Sequence, residues 1–187
     1  MNLKYHFVLL LTALLLTPNA KGAETIYLYK GTFSRTLNIE ELNEFKRTKI
    51  PSTKLKSLLM ITNQKEKELH KILSYKIEVP LKTSSRLMNS KIGEVFLSRL
   101  SKIIYTNKIL DKKLNIKAIR SAIILGSYNN NQTLNLIDFF KAYPNKNVAL
   151  DLTALNKALK KVESLKDLID FYSNSPFKKL KDGRSST

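Results

Sequence analysis

Apolar and polar residues alternate with period two on both sides of Gly31. In "TIYLYKGTFSRTLNI", Ile26 and Leu28 share one face and Tyr27 and Tyr29 the other, and beyond the glycine Phe33, Arg35 and Leu37 alternate with Ser34 and Thr36. Two such runs around a glycine loop predict a β-hairpin at about 25–38. Asn38 and Glu41 then stand at capping-box spacing, and Leu42 and Phe45 begin a helical stripe. From there the apolar period is that of helices. Leu55, Leu58 and Leu59 follow Pro51, and Leu69, Ile72 and Leu73 follow a second cap pattern at Asn63 and Glu66. A longer helical region, split near Asn89-Ser90, turns Ile92, Phe96, Leu100, Ile103 and Ile104 inward. "NIKAIRSAIILGS" predicts a buried helix ending at Gly126, and "NLIDFFKAYP" a short one capped by Asn135 and Asp138 and stopped by Pro144. A last helix runs from Leu152 to about Tyr172, with Leu155, Leu159, Val162, Leu165, Leu168 and Ile169 inside. Between these, "YTNKILDKKL" reads as a polar connection, "YKIEVP" as an extended run and "NVALDL" as a third strand.

The fold class expected is α+β and mostly α-helical. A small antiparallel sheet, made of the hairpin plus a strand at about 147–151, packs with five to seven helices. The Val79 run is a further candidate strand. Residues 1–22 have the layout of a secretory signal peptide: Lys4, an apolar run from Phe7 to Leu16, Pro18, and small residues at Ala20 and Gly22. The run is shorter than the ~20 residues that span a bilayer. Export to the periplasm, the medium or a thylakoid lumen is expected, with an uncleaved membrane anchor as the alternative. Residues 23–172 then form a single globular domain, and 173–187 a flexible basic tail.

The formal net charge of the whole chain is +18, from 33 basic and 15 acidic residues. Such a surplus raises nucleic acid or an anionic membrane as a partner. Lysine dominates it, however, and the arginines are only Arg35, Arg47, Arg86, Arg99, Arg120 and Arg184. Phosphate recognition by bidentate pairing draws on arginine. The lysines are scattered, and no basic-aromatic patch appears, so no nucleic acid is expected. Abundant Lys, Asn and Ile together are what A/T-rich coding yields.

Candidate chemistry is sparse. The chain has no cysteine, which removes thiol catalysis and thiolate metal sites. Beyond the leader it has one histidine, His70, too few for a histidine metal site. The few dispersed glycines form no phosphate-cradling loop, and no Gly-x-Ser-x-Gly elbow is present. No metal and no cofactor is implied, and no catalytic residue is assigned. Glu40 and Glu41 suit a helix start, and Asp167 and Asp170 a solvated helix face. Ser34-Arg35 is a poor reactive pair, because adjacent strand residues point to opposite faces. Arg35 shares its face with Phe33 and Leu37, so it must reach out to water or meet a partner, most simply an internal carboxylate.

Several segments together resemble a known family. "GTFSRTLNIEELNEF", "RLMNSKIGEVFLSRLSKII", "NIKAIRSAIILGSYNNNQTLNLIDFFKAYP" and "VALDLTALNKAL" stand in the order seen in a cyanobacterial domain of unknown function. That domain usually follows a signal peptide and precedes an α/β-hydrolase domain. The marks are Ser34, Arg35, Asn89, Ser90, Gly93, Glu94, Arg120, Ser121, Ala122, Tyr143, Pro144 and Asp151. Of these, the resemblance singles out Ser34, Arg35 and Arg120 as candidates for ligand or partner binding. The sequence stops at Thr187, so the hydrolase nucleophile, acid and histidine have no positions onto which to be carried.

Three readings follow. The first is an exported, non-catalytic module that binds a ligand, an envelope component or a separately encoded hydrolase. The second is an esterase-like enzyme built around His70, a serine and a carboxylate. The third is a cationic module that adheres to anionic membrane or envelope surfaces, with binding that falls as salt rises.

Overall fold

Strands β1 (Thr25–Lys30) and β2 (Phe33–Asn38) form the predicted hairpin, in the register Ile26↔Leu37 and Leu28↔Arg35. Gly31, with φ 61°, holds the first turn position, where a left-handed residue matches the strand twist. The structure, a computed structural model, describes residues 22–159. The leader up to residue 21, the last helix beyond Leu159 and the basic tail lie outside the described residues.

Helices α1 (Ile39–Thr48), α2 (Thr53–Thr62) and α3 (Glu66–Ser74) come next. The Glu41 carboxylate accepts from Asn38 N–H at 3.2 Å, as the capping-box spacing predicts. Asn63 does not open α3. It closes α2 in the left-handed conformation, φ 54°, and Lys65 stands at the start of α3 without a side-chain cap. An asparagine suits either end, and its tolerance of positive φ decides here. After the short strand β3 (Ile77–Glu78), α4 (Leu81–Met88) and α5 (Lys91–Leu100) meet at the predicted break. Ser90 Oγ accepts from Gly93 N–H at 3.1 Å and starts α5. The buried face of α5 is Gly93 and Leu97, with Phe96 and Leu100 half-buried, whereas Ile92 is exposed. The expected stripe is thus rotated, because Gly93 must face α4. A Cβ at Gly93 would collide with the Leu87 carbonyl.

Strand β4 (Ile104–Thr106) leads to α6 (Lys112–Asn129), the longest described helix. Asp111 caps it by accepting from Lys113 and Leu114 N–H. Strand β5 (Thr133–Leu134), α7 (Leu136–Lys141), β6 (Asn147–Asp151) and α8 (Leu152–Leu159) complete the order. Asn135 caps α7 as expected, accepting from Ile137 and Asp138 N–H. The described residues hold eight helices, more than the five to seven expected.

The main sheet has the order β2-β1-β6-β4 and is mixed, not antiparallel. β6 runs parallel to β1, with Ile26↔Val148 and Leu28↔Leu150. Both Glu24 and Thr25 N–H donate to Lys146 O, at 2.9 and 3.0 Å, so the two strands enter from the same end. A long helical crossover between them permits this. β4 closes the other edge antiparallel to β6; the helix expected to turn Ile103 and Ile104 inward ends at Leu100, and Ile104 opens this strand, which runs on into the stretch expected to be a polar connection. Three residues are too few to show a period-two pattern. The Val79 run does not join this sheet. β3 pairs with β5 in a separate two-stranded ribbon.

One row across the main sheet, Leu37–Ile26–Val148–Thr106, is buried throughout. The core extends from it through Phe45, Leu73, Leu97, Ile119, Ile137 and Phe140. α6 packs against α4, α5, α7, β4 and β5, and so joins the sheet to the helical half.

Gly93→Ala forces the α4–α5 corner open and is expected to cost about 1–3 kcal/mol in urea unfolding. Gly31→Ala meets no neighbouring atom and costs only about 1–2 kcal/mol, from its left-handed backbone.

Candidate functional site

The three residues singled out by sequence do not converge. Ser34 and Arg35 lie on β2, the free edge of the sheet, and both are exposed. Arg35 does face the side of Leu37 and Phe33, but Phe33 is 73 % exposed, so the core ends at Leu37. Its partner is no carboxylate: Arg35 Nη1 donates to Ser34 O at 3.0 Å. In a hairpin closed by Lys30 and Phe33, alternation turns the main-chain groups of Ser34 and Thr36 to the open edge. Arg35 therefore covers a carbonyl there, a charge that blunts strand-to-strand association.

Arg120 sits on α6, which packs on β4 at the opposite edge. Half-buried, its Nε donates to Met88 O at 2.9 Å. Met88 is the last residue of α4, where carbonyls have no partner within the helix. A guanidinium there also lies at the negative end of the helix dipole. His70 does the same at another helix end. Its Nε2 lies 3.0 Å from Lys46 O in the last turn of α1, and its ring packs edge-on to Phe45 at 6.1 Å. A carbonyl oxygen only accepts, so Nε2 carries the proton in this contact. Ser74 Oγ lies 3.5 Å from the same nitrogen, on the nitrogen that is already donating. Both residues pin one helix to the end of another.

Two polar groupings were not anticipated from sequence. In the first, Tyr143 is fully buried with its hydroxyl 3.1 Å from Thr106 Oγ1. Asn115 Oδ1 accepts from Thr106 N–H at 2.9 Å, and Asn115 Nδ2 donates to Ile109 O at 3.0 Å. α6, β4 and the turn after α7 are thereby tied by satisfied buried groups, and burial pushes the Tyr143 phenol up from its ordinary pKa. Only Tyr143 had been marked, through the family resemblance.

The second grouping lies on the opposite face of the sheet. Tyr29 Oη donates to Asn107 Oδ1 at 2.8 Å. Tyr105 is half-buried, and its phenol is raised by burial, then by the Asp151 carboxylate and Tyr29. Asp151 Oδ1 accepts from Thr153 and Ala154 N–H and starts α8. Tyr29 and Asp151 end the parallel pair β1 and β6. Tyrosine hydroxyls beside one carboxylate can donate and accept hydrogen bonds, but they bring no nucleophile and base together. The signal in sequence was the alternation of Tyr27 and Tyr29, which marked a face without showing what β4 would place beside it. Among the described residues no group of three or more His, Asp or Glu could hold a metal ion.

A family model described as "Alpha/beta hydrolase of unknown function (DUF1400)" matches residues 22–151, and the chain belongs to that family. The match begins just before β1 and ends with Asp151, so it covers both sheets and the helices between them. No curated protein and no solved structure matches the chain.

Because the folded Tyr143 phenol is raised, the native state keeps its proton where the unfolded chain loses it, above about pH 10. Its contribution is full below that pH and falls as pH rises through the folded value. Tyr143→Phe should lose about 1 kcal/mol at pH 7. Its urea stability should then fall less steeply than that of the unmodified protein above pH 10.

Proposed function

With membership of that family as the premise, we propose that the chain is a non-catalytic module that is exported and acts by binding a partner. The observation that carries this reading is what His70 and Arg120 do. The two side chains best suited to chemistry are engaged with the end carbonyls of α1 and α4. Ser34 and Arg35 stand at the free edge of the sheet, whereas the helix of Arg120 packs on β4 at the other edge. The layout of residues 1–22 supports export, and envelope components or a separately encoded hydrolase are the partners that fit. No helix among the described residues is long and apolar enough to cross a membrane.

Purified residues 23–187, offered p-nitrophenyl acetate and butyrate, should release no nitrophenol above the buffer rate. His70→Ala should leave that rate unchanged while lowering stability by about 1 kcal/mol, through the lost contact with Lys46 O. Ester turnover abolished by both Ser74→Ala and His70→Ala would contradict the proposal and establish an enzyme.

A further inference from the structure

Helix α6 is buried along one side and bare along the other. Its buried residues are Asn115, Ile116, Ala118, Ile119, Ala122, Ile123, Gly126 and Ser127. At 100° per residue, Leu114, Ser121, Leu125 and Tyr128 fall within about 60° of one another, with Lys117 on one flank and the buried Ala118 on the other. Leu114 is 51 % exposed, Leu125 46 % and Tyr128 66 %. Leu110, one turn ahead of Leu114 in the preceding loop, is 88 % exposed. A single bare leucine is ordinary, whereas a file of them along a helix marks a contact surface.

The charge beside that file is of one sign. Residues 112–129 hold Lys112, Lys113, Lys117 and Arg120 and no carboxylate, and Lys102 and Lys108 precede them. Asp111 is occupied in capping the helix. Glu24, Glu40, Glu41 and Glu44 form ion pairs, and all four lie before α2. The cations of α6 thus have no carboxylate on their own element.

We infer that the outer face of α6, with the Lys108–Lys113 stretch at its head, is the surface by which this chain lies on an anionic lipid bilayer. The inference deepens the partner-binding reading and rests on it: the partner is the lipid surface of the envelope. A helix of 18 residues is about 27 Å long and can lie flat in the headgroup layer. Its leucines would enter the acyl boundary, Tyr128 would sit at headgroup level, and the lysines would meet phosphates. A file interrupted by Ser121 and bordered by Lys117 suits a shallow, charged boundary better than a dry protein interface.

The chain has no tryptophan, so Leu125→Trp in residues 23–187 introduces a single reporter. Vesicles of phosphatidylcholine, with and without a third of phosphatidylglycerol, are the probes. The tryptophan emission should shift to the blue and become shielded from acrylamide only with the anionic vesicles, and about 0.5 M salt should reverse both. In cosedimentation of the otherwise native chain, Lys113→Gln with Lys117→Gln should weaken binding about 25-fold, at about fivefold per lysine. Met60→Ser with Ile61→Ser, which removes exposed apolar groups on α2, should leave binding unchanged. Failure to bind anionic vesicles, equal binding to neutral ones, a tryptophan left in water on bound protein, or indifference to the lysine pair would each overturn the inference. Ester turnover without any of these failures would instead count against the non-catalytic reading alone.

Discussion

A helix that ends inside a protein leaves carbonyl groups in need of donors, and at the end of α4 the donor is a guanidinium from α6. The contact of Arg120 Nε with Met88 O fixes the α4–α5 corner against the helix that carries the rest of the core. The corner itself is possible only because Gly93 lets α5 approach the Leu87 carbonyl. Ser90 supplies the cap that starts α5 in the same few residues. On its other contacts, α6 reaches β4 through Asn115, whose amide bonds to Thr106 and Ile109. One helix therefore ties the four-stranded sheet to the helical half, and the Arg120 contact holds its outer joint closed.

This arrangement explains why residues that look chemical behave structurally. Asn89, Ser90, Gly93 and Arg120, marked by family resemblance, gather at that one corner. Asn89 Nδ2 donates to Ser85 O and closes α4 as Arg120 does. His70 performs the equivalent task on α1. Polar groups at helix ends are costly to leave without partners, and a cationic donor there meets both the open carbonyl and the dipole. What is left for interaction is the outside of the molecule, where the cations outnumber the carboxylates.

Much of the fold was legible in the sequence, and the missing parts have physical reasons. The hairpin, the capping box at Asn38 and Glu41, the break at Asn89-Ser90 and the capped helix after Asn135 follow from local patterns, and local patterns were enough. Strand direction is a long-range property: nothing within "NVALD" distinguishes pairing parallel to β1 from the antiparallel pairing expected. β4 is hidden in the sequence because three residues carry no period and Ile103-Ile104 continue the helical apolar spacing ahead of it. Apolar spacing alone turns Ile92 inward because it ignores where a helix must come close, and Gly93 settles that for α5. The candidate site was less legible still. Arg35 could be placed on a face of β2, but only the limit of the core at Leu37 shows that it meets a main-chain carbonyl and not an acid. The Thr106–Tyr143 contact joins elements 37 residues apart, and sequence spacing offers no sign of it.

The central claim is that Arg120, through its bond to Met88 O, holds the α4–α5 corner to α6. Urea unfolding of Arg120→Met tests it most directly, alongside Gly93→Ala and the double variant. The loss expected for Arg120→Met is about 2 kcal/mol, for a charge-assisted bond from a half-buried guanidinium. The double variant should lose less than the sum of the two single losses, because both act at one joint. An Arg120→Met protein as stable as the unmodified chain, or losses that simply add, would contradict the account.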